Sequence, residues 1–125
     1  MTKTITLFGI PNCDTVKKAR IWLETHAIPF QFHNFKKDGL AQAQVETWLS
    51  QIELDVLINR KGTSWRALSE EQKSLANDRE GAIQLMLAQP SLIKRPVLQI
   101  IENEIKHLGV GFKPEIYQSI FEQND

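Results

Sequence analysis

The stretch from Ile5 to Phe35 alternates extended and helical patterning with turn formers at each junction, and this alternation narrows the fold more than any other feature. Ile5, Leu7 and Phe8, with Thr4 and Thr6 between and before them, predict a short β-strand that stops at Gly9-Ile10-Pro11-Asn12. From Asp14 onward, Val16, Ala19, Leu23 and Ala27 fall on one helical stripe, with Lys17, Lys18 and Glu24 off it. The helix is expected to start at or immediately after Cys13 and to end before Pro29. Phe30-Gln31-Phe32-His33-Asn34-Phe35 then predicts a second strand with Phe30 and Phe32 on one face. The unit is β-α-β, with a right-handed crossover.

Lys36-Lys37-Asp38-Gly39 is expected to form a turn, after which the pattern changes. Ala41, Val45, Trp48, Leu49 and Ile52 mark an amphipathic helix, and two short helices are expected to follow. Ser69 with Gln72 has the capping-box spacing for a helix to about Leu75, and Asp78 can cap another carrying Ile83, Met86 and Leu87 before Pro90. Val97 to Ile101 and Ile105 to Leu108 flank Glu102-Asn103-Glu104 as an antiparallel hairpin. Pro114 opens a terminal helix with Ile116, Ile120 and Phe121. The reading is α/β: a βαβ-ββα sheet module over about residues 1–39 and 91–125, with an all-helical insertion over about 40–90. At 125 residues and 42% apolar content, a single domain is expected.

Fifteen Lys and Arg balance fifteen Asp and Glu, which removes the bulk attraction that drives non-specific binding to nucleic acid or anionic membrane. Neither partner is expected. The apolar runs are too short for a membrane span, and the N-terminal Met-Thr-Lys-Thr-Ile-Thr lacks a signal-peptide core, so the cytoplasm is the expected location. His26, His33 and His107 have no metal-ligand spacing, are expected to be exposed, and predict no metal site.

The single cysteine, Cys13, excludes an internal disulfide and a Cys-rich zinc site. Two readings remain: an inert buried residue, or a reactive thiol. Its place in the polar turn Pro11-Asn12-Cys13-Asp14-Thr15, outside any apolar stripe, favours reactivity. A thiol at a helix N-terminus faces unpaired backbone N–H groups and the positive end of the macrodipole, which favour thiolate over thiol. Asn12, Asp14, Thr15 and Lys17 form its local surroundings, with Asp14 opposing the thiolate as a like charge and Lys17 supplying a cation one turn on. A phosphatase-type anion loop is excluded, because position 19 is Ala and residues 14–18 contain no Gly. More distant cations are Arg60 in Asn59-Arg60-Lys61-Gly62, Arg95 before Pro96, and Lys113 before Pro114. Pro96 as the first residue of a strand is compatible with a cis peptide bond.

Gly9-Ile10-Pro11-Asn12-Cys13-Asp14-Thr15, Leu57-Ile58-Asn59-Arg60-Lys61-Gly62, Leu92-Ile93-Lys94-Arg95-Pro96 and Val110-Gly111-Phe112-Lys113-Pro114 together resemble the arsenate reductase (ArsC)/Spx family, nearest its YffB-type branch. The resemblance spans essentially the whole chain. It implies a thioredoxin-like fold, a cis bond at Pro96, and a site in which Arg60, Arg95 and Lys113 surround Cys13. In the glutaredoxin-linked arsenate reductases a histidine lies four residues before the cysteine and a third arginine completes the oxyanion site; here those positions are Gly9 and Lys113. Lys keeps the charge but loses the planar fork suited to a tetrahedral oxyanion, and Gly9 in place of the histidine predicts weak or no arsenate reduction. In the Spx branch a second cysteine follows three residues after the first, where this chain has Val16.

The expected function is that of a glutathione-dependent monothiol reductase. Cys13 is the nucleophile, Arg60, Arg95, Pro96 and Lys113 bind the glutathione or anionic substrate, and an external thiol resolves the adduct. Glutathione is the expected co-substrate, glutaredoxin a further partner, no cofactor is tightly bound, and the chain is expected to be a monomer. The alternatives are an arsenate reductase coupled to glutathione and glutaredoxin, and a non-catalytic Spx-like module that binds RNA polymerase.

Overall fold

A computed structural model describes residues 3–123. In chain order the elements are β1 (Thr4–Gly9), α1 (Asp14–Thr25), β2 (Gln31–Asn34), α2 (Phe35–Asp38), α3 (Gln42–Leu49), α4 (Leu54–Leu57) and α5 (Thr63–Arg66). Then follow α6 (Glu70–Leu75), α7 (Arg79–Ala88), a 3-10 turn (Pro90–Leu92), β3 (Val97–Glu102), β4 (Glu104–Val110) and α8 (Pro114–Gln123). Two compact units result: the chain up to Asp38 together with the chain from Arg95 onward, and Gly39–Lys94.

The first unit is a four-stranded sheet of order β2-β1-β3-β4. β1 runs parallel to β2 and antiparallel to β3, and β3 is antiparallel to β4. Alternation sends Ile5, Leu7, Leu98 and Ile100 to one face, where Ala19 and Leu23 of α1 and Tyr117 of α8 cover them. Each fully buried Leu or Ile there contributes about 1.5 to 3 kcal/mol of transfer free energy. Tyr117, 2% exposed, meets Phe112 and Trp22 edge-on at centroid distances of 4.7 and 5.6 Å. Burial pushes its phenol well above the usual range, so the group stays neutral. This strand order, with α1 and α8 on one face, is thioredoxin-like.

The second unit is all helical, around Val45, Trp48, Leu57, Ile83, Met86 and Leu92, all fully buried. Its one extended contact pairs Ile58 with Ile93, where the Asn59 N–H donates to the Leu92 carbonyl and the Lys94 N–H to the Leu57 carbonyl, both at 2.7 Å.

Several local expectations change. Ala27 leaves the apolar stripe, because α1 ends at Thr25 and Ala27 is exposed with φ +55°. Residues 36–39 are not a simple turn: Phe35, buried, starts one turn of helix, and the left-handed bend falls on Gly39 at φ +74°. The hairpin is tighter and longer than its pattern, with Glu102 opposite Glu104 across Asn103 at φ +69°. Ile116 is 51% exposed, so the inner face of α8 is carried by Tyr117, Ile120 and Phe121. His33 and His107 are half-buried, whereas His26 is exposed and stacks on Trp22 at 3.8 Å.

Candidate functional site

The sheet register decides which loops meet. Phe8 pairs with Val97, Val97 with Val110, and Gly9 with Asn34, so β1 and β2 end at the same edge where β3 begins and β4 ends. The loop from Gly9 leads to Cys13, the residues entering β3 are Arg95 and Pro96, and the chain leaving β4 reaches Lys113. Arg95-Pro96 is a cis peptide bond, and the Pro96 carbonyl accepts from the Gly111 N–H at 2.9 Å, tying the start of β3 to the exit of β4.

Two helices start at this end. Cys13 is the N-cap of α1, extended at φ −111° and ψ 124°; its carbonyl accepts from the Lys17 N–H at 2.9 Å, and its side chain makes no cap hydrogen bond. The Lys113 carbonyl accepts from the N–H groups of Ile116 and Tyr117 at 3.1 and 3.0 Å, which opens α8 in the same manner. The dipoles of both helices therefore present their positive ends here. Cys13 is a free thiol and half-exposed, so it is not sealed in the core. Asn12, Asp14, Thr15 and Lys17 are exposed around it, Lys113 is exposed, and Arg95 is half-buried.

Thus Asn12, Cys13, Asp14, Thr15, Lys17, Arg95, Pro96 and Lys113 lie toward one end of one sheet. Arg60 belongs to the helical unit. There it donates from Nη2 to Asp55 Oδ1 at 3.0 Å and lies 5.0 Å from the centroid of Trp65. Its loop is shaped by Asn59, whose Oδ1 accepts from the Lys61 N–H at 3.2 Å, and by Arg66, whose Nη2 donates to the Lys61 carbonyl at 2.6 Å.

Three features of this end are not singled out by the sequence patterns. Phe8, His33 and Phe35 form a ring cluster at its base, with Phe8 and His33 at 4.9 Å and His33 and Phe35 at 6.1 Å. Asn34 sits beside Gly9, its N–H donating to Asp38 Oδ2 at 3.0 Å and its Oδ1 accepting from the Lys36 N–H at 2.9 Å. Val16 packs directly over Gly9: a Cβ placed on Gly9 would come 2.8 Å from Val16 Cγ2. The aromatic run Phe30 to Phe35 is the sequence signal for the first; the other two depend on pairing and packing that periodicity does not report.

Among the described residues no group of three or more His, Cys, Asp or Glu could hold a metal ion, and no helix is long and apolar enough to cross a membrane.

The ArsC family model matches residues 8–120. This chain belongs to the ArsC family. An uncharacterized protein of Haemophilus influenzae is 41% identical over 117 residues, covering 94% of this chain and 98% of its own length. The Global transcriptional regulator Spx of Streptococcus pneumoniae is 29% identical over 113 residues, covering 89% and 80%. Among solved structures, a protein named YffB superposes with a TM-score of 0.83 at 42% identity, covering 94% of this chain and 98% of that one. An arsenate reductase (ArsC) related protein from Brucella melitensis superposes with a TM-score of 0.70 at 47% identity, covering 95% of each chain. The ArsC-family fold therefore extends over both the sheet unit and the helical unit.

Proposed function

We propose that this ArsC-family chain is a glutathione-dependent monothiol reductase with Cys13 as its nucleophile. The observation that carries this reading is the placement of the chain's one thiol: half-exposed, without a side-chain hydrogen bond, at a helix start on the sheet end that also carries Arg95-Pro96 and Lys113. In the first step the Cys13 thiolate attacks the glutathione sulfur of a disulfide. A Cys13–glutathione bond forms, the original S–S bond breaks, and the departing thiolate takes a proton from water. In the second step the thiolate of another glutathione attacks the glutathione sulfur held on Cys13, releasing oxidised glutathione and restoring the Cys13 thiolate. The atoms balance without a bound cofactor.

Arg95 and Lys113 supply positive charge for the glutathione carboxylates. Lys17 opposes Asp14 in the first turn. The cycle needs a reducing compartment such as the cytoplasm, a glutathione pool and, for some clients, a glutaredoxin. A monomer suffices for it.

The test is mass spectrometry after incubation with oxidised glutathione. The expected result is one glutathione on Cys13, removed by reduced glutathione and absent from Cys13→Ser. A native chain that takes up none, while a small alkylating reagent still modifies Cys13, would overturn the reading. NADPH-coupled turnover of arsenate with glutathione and glutaredoxin would favour the arsenate alternative. Capture of RNA polymerase that survives Cys13→Ser would favour a binding module.

A further inference from the structure

Tyr117 is a buried titratable group that the chemistry of Cys13 does not use. Its ring packs among core side chains, yet its hydroxyl meets no hydrogen-bond partner among the described residues. A buried hydroxyl in that state has given up its water contacts without replacement, which is costly, so the space beside it matters. Tyr117 lines a cavity of about 100 Å³ between α8 and the outer strand β4. The sheet register brings a second polar group to the same place. His107 pairs with Ile100 and Gly109 with Leu98, and directly paired residues of antiparallel strands share a face. Leu98 and Ile100 face α1 and α8, so His107 and Gly109 do as well. A Cβ on Gly109 would stand 3.0 Å from His107 Nε2 and 3.2 Å from its Cε1, so glycine at this position leaves room for the imidazole to lie over the strand and line the cavity. Ile116 and Ile120 of α8 and Leu98 of β3 add hydrocarbon walls.

We propose that this cavity binds a small uncharged molecule, a short amide or alcohol, whose polar group accepts from the Tyr117 hydroxyl and exchanges a hydrogen bond with the His107 imidazole. The volume sets the size: it is several times the roughly 10 to 15 Å³ that one water needs and smaller than the roughly 150 Å³ that accepts benzene, so about four or five heavy atoms fit. The walls set the charge. Burial keeps the Tyr117 phenol protonated and holds the His107 imidazole below its ordinary range, so both are neutral near pH 7.5. Among the described residues no Lys, Arg, Asp or Glu lines the cavity, and an ion would enter hydrocarbon without a counter-charge. A neutral imidazole offers one N–H and one lone pair, which suits a ligand group that both donates and accepts. The proposal does not depend on the reaction of Cys13.

The test is an NMR titration of the full chain at pH 7.5 with acetamide and with acetate, its charged isostere. With acetamide, the amide signals of His107 and Gly109 are expected to shift along a saturating curve with a midpoint of about 10 mM or lower, and the acetamide methyl to show NOEs to the side chains of Ile116 and Ile120. Acetate is expected to bind there at least about tenfold more weakly. Tyr117→Phe, which removes only the hydroxyl, is expected to weaken acetamide by about threefold or more. Shifts that grow without saturating and no NOE, the mark of a cavity that holds water only, would overturn the proposal. So would acetate binding as well as acetamide, or an unchanged midpoint in Tyr117→Phe. Should that variant fail to fold, the wild-type NOEs and the acetamide–acetate comparison decide alone.

Discussion

Helices α6 and α7 of the helical unit begin differently from α1 of the sheet unit. Ser69 Oγ accepts from the Gln72 N–H at 3.1 Å while Gln72 Oε1 accepts from the Ser69 N–H at 2.9 Å, and Asp78 Oδ1 accepts from the Gly81 N–H at 2.7 Å. Each cap satisfies donors that a helix leaves unpaired, for about 1 kcal/mol. At α1 the same position holds Cys13, a weak acceptor that makes no such bond. The difference is between helix starts closed by a side chain and one left open, where the proposed nucleophile stands.

The comparison can be pressed at four points. Gly81→Ala should have the largest effect, because the added Cβ would press into the Leu75 carbonyl and crowd Asp78 Oδ1. A loss of about 3 kcal/mol by urea unfolding is expected, and no loss would mean that the α6–α7 junction is looser than described. Asp78→Ala should cost about 1 to 2 kcal/mol and Ser69→Ala about 1 kcal/mol in the same measurement, with negligible costs erasing the contrast. Cys13→Ser should go the other way, gaining up to about 1 kcal/mol from a better cap while losing the glutathione adduct. A less stable Cys13→Ser would mean the thiol already contributes to the helix.

The smallest effect concerns His107, whose imidazole is pushed below its ordinary range by burial. The unfolded chain then binds the proton more readily than the folded one, so stability is complete above about pH 6.5 and falls as pH drops through and below that value. Comparing urea midpoints near pH 7.5 and 5.5 should show a larger acid loss for wild type than for His107→Gln; identical losses would place the titration elsewhere.

The parts of the fold legible in the sequence are those specified locally. The Thr4–Gly9 alternation, the Val16-Ala19-Leu23 stripe, the Ser69 and Asp78 caps and the proline opening α8 each report on neighbours a few residues away. Helices α4 and α5 escape because four residues cannot show a period, and Ala27 reads as a stripe position although the chain there turns left-handed. At the site, the helix start at Cys13 is local and readable. The meeting of Arg95-Pro96 with the exit of β4 depends on β3 pairing with both β1 and β4, which no window of sequence contains. The fit of Val16 over Gly9 is legible only once the strand and the helix are seen together.

Trp22 lies flat against the ring of His26, while Trp48 is sealed in the helical unit and Trp65 lies beneath the Arg60 guanidinium. The three indoles therefore sit in separate settings: one against an imidazole, one fully buried, one beneath a guanidinium. Emission from Trp22 and from Trp48 should thus differ, so that each unit carries its own optical label.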